Sequence, residues 1–173
     1  MAGVVPESAV RESAVSAVSE VSEVSAVSEV LSIAAAQEAL DAQPFSRLVQ
    51  ARITEFGHGA ATLEIDIREE LLQQHGFVHG GVLSYAADNT LTFAAATALG
   101  PAIVTGGFSI QYLRPAVGRT LRARAEVVQA GRRQAVCRCD LTVIGAEGEE
   151  SVCAVAQGTA LPLNGPAGGN TEG

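Results

Sequence analysis

The sequence predicts an α+β protein in which an antiparallel sheet packs on one buried helix. Three observations carry that reading. The most apolar run of the chain, from Val82 to Leu99, is interrupted by Asp88 and Asn89 and reads as a buried helix. Four later segments alternate apolar and polar residues with a period of two. Gly131-Arg132 and Gly145-Ala146-Glu147-Gly148 supply turns between alternating segments, as hairpins require.

In chain order, residues 13–30 form a three-residue repeat with Val at 15, 18, 21, 24, 27 and 30. A period of three matches neither strand alternation nor the 3.6 of a helix, and a coiled-coil seam needs about 3.5. Residues 1–38 are therefore expected to be a tail dispensable for chemistry. The expected division is a low-complexity extension over 1–43, flexible or marginally helical, a domain over 44–163, and a flexible tail over 164–173.

Leu63, Ile65 and Ile67 alternate with Thr62, Glu64 and Asp66, a half-buried strand. The long helix follows Gly81. Phe108, Ile110 and Tyr112 share one face of the next strand. Leu121, Ala123, Ala125 and Val127 then oppose Arg122, Arg124 and Glu126. Ala135, Cys137, Cys139, Leu141 and Val143 oppose Val136, Arg138, Asp140 and Thr142, and a last strand runs from about Ser151 to Leu161. The expected order is strand, strand, central helix, then a meander of strands. A helix apolar nearly all round must be covered on most sides. One flat sheet covers one side, so a partner subunit or strong sheet curvature is expected.

The formal net charge is -8, with Arg as the only Lys/Arg cation type. Six Glu against one Arg in residues 1–40 supply most of that imbalance. No basic patch with interleaved aromatics suggests a nucleic-acid partner. No unbroken apolar stretch is long enough for a membrane span, and no basic-then-apolar leader pattern opens the chain. A cytoplasmic protein is expected. Three cysteines without C-x-x-C spacing, Cys137, Cys139 and Cys153, argue against a disulfide framework and a zinc site, and read as small buried hydrophobes.

Two features carry chemistry. Asp88 is the only acid between Glu70 and Glu126, and it sits inside the apolar helix. A carboxylate there is costly unless hydrogen-bonded, paired or exposed in a cleft, so it is a functional candidate; the competing reading is a solvated stripe or a backbone anchor. The helix also opens on His79-Gly80-Gly81. Bare amides at a helix N-terminus, with the dipole behind them, can hold a developing oxyanion. Alone, the Gly pair reads as a tight turn; together with a lone intrahelical acid it becomes specific. His79 is placed in a supporting role, His75 near the mouth of a site, and His58 in an exposed turn.

The stretch Gly76-Phe77-Val78-His79-Gly80-Gly81-Val82-Leu83-Ser84-Tyr85-Ala86-Ala87-Asp88-Asn89 resembles the signature of hotdog-fold acyl-CoA thioesterases of the phenylacetate-pathway (PaaI) type. The resemblance continues through Thr105 to Ala116 and spans residues 44–163. It implies a hotdog fold, a curved antiparallel sheet wrapped around one long central helix. It implies hydrolysis of an acyl-CoA thioester, with Asp88 as general base or nucleophile, the Gly80 amide as oxyanion donor, His79 beside it, and Thr105 placing the acid or the water. The family's usual Asn six residues before the motif His is Gln73 here, an amide one methylene longer. Gly81, Asn89 and Arg114 are assigned to substrate binding, Arg114 toward the CoA phosphates. The implied assembly is a homodimer or a dimer of dimers (a homotetramer), with sites at the subunit interface and no metal or organic cofactor. The alternatives are a hotdog dehydratase or hydratase and a non-catalytic acyl-CoA-binding module.

Overall fold

The computed structural model describes residues 32–163. The three-residue repeat and the expected C-terminal tail lie outside the described residues.

Two short helices open the structure. Helix α1 (Ile33–Asp41) starts where the Ser32 hydroxyl accepts a hydrogen bond from the Ala35 N–H at 3.1 Å, an N-cap that satisfies one orphan amide. Helix α2 (Pro44–Val49) begins on a proline, whose missing N–H costs nothing at a first helical turn. Strands β1 (Arg52–Gly57) and β2 (Ala60–Asp66) pair antiparallel through Gly57-His58-Gly59. All three turn residues have positive φ, at 135°, 51° and 80°, which is why glycine flanks the histidine. After one 3₁₀ turn come helix α3 (Gly80–Leu99) and strands β3 (Ile103–Tyr112), β4 (Thr120–Ala130), β5 (Ala135–Ile144) and β6 (Glu150–Pro162).

The six strands form one antiparallel sheet in the order β1-β2-β4-β5-β6-β3. The sheet wraps α3, which touches every strand, so curvature covers much of the helix. This is the expected hotdog arrangement. The inner face explains the close approach. Ala123, Ala125, Ala154 and Ala156 on the sheet meet a helix whose buried positions include Ala86, Ala87, Ala94 and Ala95. Small residues on both sides bring the backbones together, while Leu63, Ile65, Leu121 and Leu141 fill the remaining space. The outer face carries cross-strand ion pairs: Arg52–Asp66 at 2.8 Å, Arg122–Glu64 at 2.8 Å, Arg122–Glu150 at 2.7 Å and Arg138–Glu126 at 2.6 Å.

Cys137, Cys139 and Cys153 are free and buried, as the inward side of an alternating pattern requires. Burial pushes the Cys137 thiol up to about 11 and that of Cys139 up to about 12.

The structure corrects two expectations and adds the exposure of one face of β3. First, only β4, β5 and β6 form a meander; β3 joins the far edge beside β6. No two-residue turn separates β3 from β4, and the longer link through Leu113–Arg119 lets β4 cross to β2 instead. The face of β3 bearing Phe108 and Tyr112 is exposed, at 38% and 54% of their surfaces, because an edge strand of one chain has no layer over it. Second, core packing starts before residue 44. Leu40 is fully buried and Ala36 is 5% exposed, while the Gln37 amide oxygen accepts from the Ile53 N–H at 2.7 Å. Helix α1 thus docks on β1, and the end of the expected low-complexity extension over 1–43 supplies part of the core.

Candidate active site

The start of α3 is built by His79. Its backbone N–H donates to the Leu71 carbonyl at 2.8 Å, and the neighbouring Val78 N–H donates to that of Ala116 at 3.0 Å, which pins the loop. His79 then caps the helix. Its Nδ1 accepts from the Gly81 N–H at 2.9 Å, and its carbonyl accepts from the N–H groups of Val82 and Leu83 at 2.9 and 3.3 Å. Among the described residues the Gly80 N–H makes no hydrogen bond. The sequence offered two glycine amides as oxyanion donors; the geometry spends that of Gly81 on the cap and leaves that of Gly80 free. Glycine at 81 leaves room for this. A Cβ there would stand 3.0 Å from His79 Nδ1, so the capping imidazole would have to give by a few tenths of an ångström.

Asp88 lies two turns further along the same helix, half-buried. Its Oδ1 accepts from the Thr105 hydroxyl on β3 at 2.7 Å. Thr92, one turn beyond Asp88, donates to the Asp88 carbonyl at 3.0 Å and lies 2.7 Å from Thr105 Oγ1. No Arg or His forms an ion pair with Asp88 among the described residues. One carboxylate oxygen is therefore held by a neutral hydroxyl, and the carboxylate retains lone pairs for a proton.

The expected site residues fall into two groups within one chain. Gln73, His79, Gly80 and Arg114 line a cleft of about 450 Å³ at the N-terminal end of α3. Asp88 and Asn89 sit at mid-helix, with Thr105 of β3 bound to Asp88. Eight residues of helix at a rise of ~1.5 Å each separate the Gly80 amide from Asp88 by roughly 12 Å. That is too far for one carbonyl to touch both.

The substrate-binding candidates have local partners. The Gln73 side-chain oxygen accepts from the His75 N–H at 3.0 Å, closing its own turn. Asn89 Nδ2 donates to the Tyr85 carbonyl at 3.3 Å. Exposed Arg114 donates through Nη1 to Ser151 Oγ at 3.1 Å. Sequence reasoning missed three residues. Thr92 is visible only as a polar residue one turn from Asp88. Tyr112 donates its hydroxyl to the Gly80 carbonyl at 3.1 Å and lies 2.9 Å from Ser84 Oγ, contacts between β3 and α3 that no local pattern announces.

A curved antiparallel sheet wrapped around one long central helix defines a protein of the hotdog fold. The thioesterase superfamily model matches residues 75–146, which include both groups of site residues apart from Gln73. A Mycobacterium tuberculosis protein described as a candidate esterase is 30% identical over 96 residues, 53% of this chain and 69% of the relative. The crystal structure of a thioesterase family protein from Silicibacter pomeroyi superposes with a TM-score of 0.70 at 32% identity, covering 75% of this chain and 96% of that one. The phenylacetic acid degradation protein PaaI of Thermus thermophilus gives a TM-score of 0.61 at 30% identity, covering 70% and 100%. The chain belongs to the thioesterase superfamily. No helix among the described residues is long and apolar enough to cross a membrane.

Proposed function

We propose that the protein hydrolyses acyl-CoA thioesters at a site completed by two copies of the chain. One observation carries this reading: the free Gly80 amide and the Thr105-held Asp88 carboxylate lie at separate points on one helix, so a common reaction centre needs the Gly80 end of one copy against Asp88 of another. The long edge strand β3 supports such pairing, since Val104, Phe108 and Tyr112 leave 46%, 38% and 54% of their surfaces exposed beside unpaired backbone. The assembly is a homodimer or a pair of dimers.

The thioester carbonyl oxygen accepts from the Gly80 N–H, with the α3 dipole adding to the field on the developing oxyanion. Asp88 takes a proton from water as the hydroxide adds to the carbonyl carbon. The tetrahedral intermediate then collapses, the C–S bond breaks, and CoA leaves as a thiolate, which needs no strong general acid. In the alternative course an Asp88 oxygen attacks the carbonyl carbon, expels the thiolate and leaves a mixed anhydride for water to cleave. Thr105 holds the carboxylate; Gln73 and His79 border the cleft that receives the thioester, and Arg114 lies on its rim toward the CoA phosphates. Gly81, through the His79 cap, and Asn89, beside Asp88, shape the substrate's path.

A panel of acyl-CoAs with free-thiol detection tests the reading. Release of CoA by the wild-type protein and its loss in Asp88→Asn are expected. A folded protein that releases no thiol from any of them overturns it. Single turnover in ¹⁸O-water bears on the course: ¹⁸O in Asp88 arises only when water opens an anhydride at the Asp88 carboxyl carbon, whereas direct hydrolysis puts all of it in the product acid.

A further inference from the structure

A second cavity, of about 200 Å³, lies on the other side of Asp88 from the helix start. Three of its wall residues, Ala35, Ala36 and Ala39, come from α1. Phe56 and Phe93 form another wall, packed edge to face with ring centroids 6.3 Å apart. Two threonines stand between the carboxylate and the cavity. Thr92 lines it and lies 2.7 Å from Thr105 Oγ1, whose hydroxyl is bound to Asp88. Ile103 lines it as well and stands two residues before Thr105, on the same side of β3. Asn89, next to Asp88 in the chain, lines it too.

We infer that this cavity receives the acyl group of the substrate, and that α1 sets the longest chain accepted. The inference rests on the acyl-CoA hydrolase reading and adds the substrate's size class. The wall is mostly aliphatic and aromatic, which suits a hydrocarbon and offers no countercharge for a second carboxylate. Its size is limiting. A dry cavity of ~150 Å³ holds a six-carbon ring, so about 200 Å³ holds roughly six to eight carbons. The alanines of α1 are the cause of that limit and also its adjustable part. Ala39 is exposed on its outer side, so a larger side chain there fills the cavity without disturbing the core. Short- and medium-chain acyl-CoAs are therefore the substrates, and long-chain ones are excluded.

The test compares kcat/KM for acetyl-, hexanoyl-, octanoyl- and hexadecanoyl-CoA, with S-hexyl-CoA, a thioether that cannot be hydrolysed, for binding by calorimetry. The wild-type protein is expected to prefer hexanoyl or octanoyl over hexadecanoyl by at least tenfold. Ala39→Phe and Ala35→Leu should each lower the hexanoyl-to-acetyl ratio at least tenfold, and Phe56→Leu should move the preference to longer chains. Hydrolysis with an unchanged chain-length profile in folded alanine variants overturns the cavity assignment and leaves the hydrolase reading standing. No hydrolysis, but S-hexyl-CoA bound at least tenfold more tightly than CoA and that gain lost in Ala39→Phe, overturns the hydrolase reading and supports the cavity. Neither hydrolysis nor a gain from the hexyl chain overturns both.

Discussion

The Thr105 hydroxyl donates to Asp88 Oδ1 at 2.7 Å, tying the edge strand β3 to the middle of α3. Thr105 stands where the pairing of β3 with β6 shifts register, between Thr105 and Gly107. A bulge of this kind re-aims side chains. The position of the carboxylate is thus set by the sheet as well as by its own helix.

Thr105 is a positioning residue in this arrangement, and its substitution should separate holding from binding. A hydrogen bond to a charged group contributes about 1.5–3 kcal/mol. If the site carries the proposed chemistry, Thr105→Val should lower kcat by roughly 10- to 100-fold with little change in KM, and Thr105→Ser, which restores the hydroxyl, should recover most of it. An unimpaired Val protein beside an impaired Ser protein would show that the methyl group and not the hydroxyl matters.

Asp88→Asn keeps the shape and removes the charge. As the general base it should cost about 10²–10⁴-fold in kcat, and as the nucleophile more. Thermal unfolding should be nearly unchanged, since Asn still accepts from Thr105. A lowered Tm with less than a tenfold loss in kcat would make Asp88 an anchor and return His79 to consideration as the base.

Assembly should be separable from folding at the β3 edge. A lysine in place of Phe108 puts a charge on an exposed apolar strand, a device that natural edge strands use against pairing. Phe108→Lys should give a folded monomer by light scattering with at least a hundredfold lower turnover. A fully active monomer would refute a site shared between copies.

The parts of this molecule legible in its sequence are those set by near neighbours. Leu121, Ala123 and Ala125 alternate with charged residues because one side meets α3 and the other meets water. Asp88 stood out because no other acid lies within that stretch of chain. What depended on distant contacts was not legible. Nothing local places β3 beside β6, since the choice is made by the Leu113–Arg119 crossing. The motif resemblance already pointed to the Gly80 amide, but that the His79 ring takes up the Gly81 amide was not legible. Helix α1 was hidden beside the three-residue repeat; its nine residues bury only Ala36 and Leu40, too few for a periodic signal.

The cysteines should make the protein sensitive to alkali. Burial raises their folded-state values, to about 11 for Cys137 and about 12 for Cys139, against 9.0 for the ordinary thiol. A raised folded value means that the native state holds its proton more tightly than the unfolded chain does. The linked stability is therefore fully present below pH 9.0 and is lost as pH rises from there through about 11 and 12. Chemical unfolding followed between pH 8 and 11 should show a declining midpoint, with a shallower decline in Cys139→Ala. A thiol reagent at pH 8 should react with the native protein only as fast as it unfolds. Rapid labelling of all three thiols in the native state would contradict their burial.

The last prediction concerns α1. Read as sequence, residues 1–38 were expected to be dispensable; in the structure α1 begins at Ile33 and docks on β1. Leu40 has no exposed surface and belongs to the same core as Leu63 and Ile65. Leu→Ala at such a site removes buried methyl groups and leaves a cavity, at about 2–5 kcal/mol. Leu40→Ala should therefore lower Tm by several degrees. Deleting residues 1–42 removes that contact, the Gln37 bond to the Ile53 N–H and the alanine wall together, and should destabilise more than the point variant. Deleting 1–31 spares Ser32 and its cap on Ala35, so the shorter truncation should melt with the full chain. The three proteins compared by calorimetry decide the matter. If the 1–42 deletion melts with the full-length protein, α1 contributes nothing to the core and the boundary belongs at residue 44 after all. If it melts well below while the 1–31 deletion does not, the folded unit begins at the Ser32 cap.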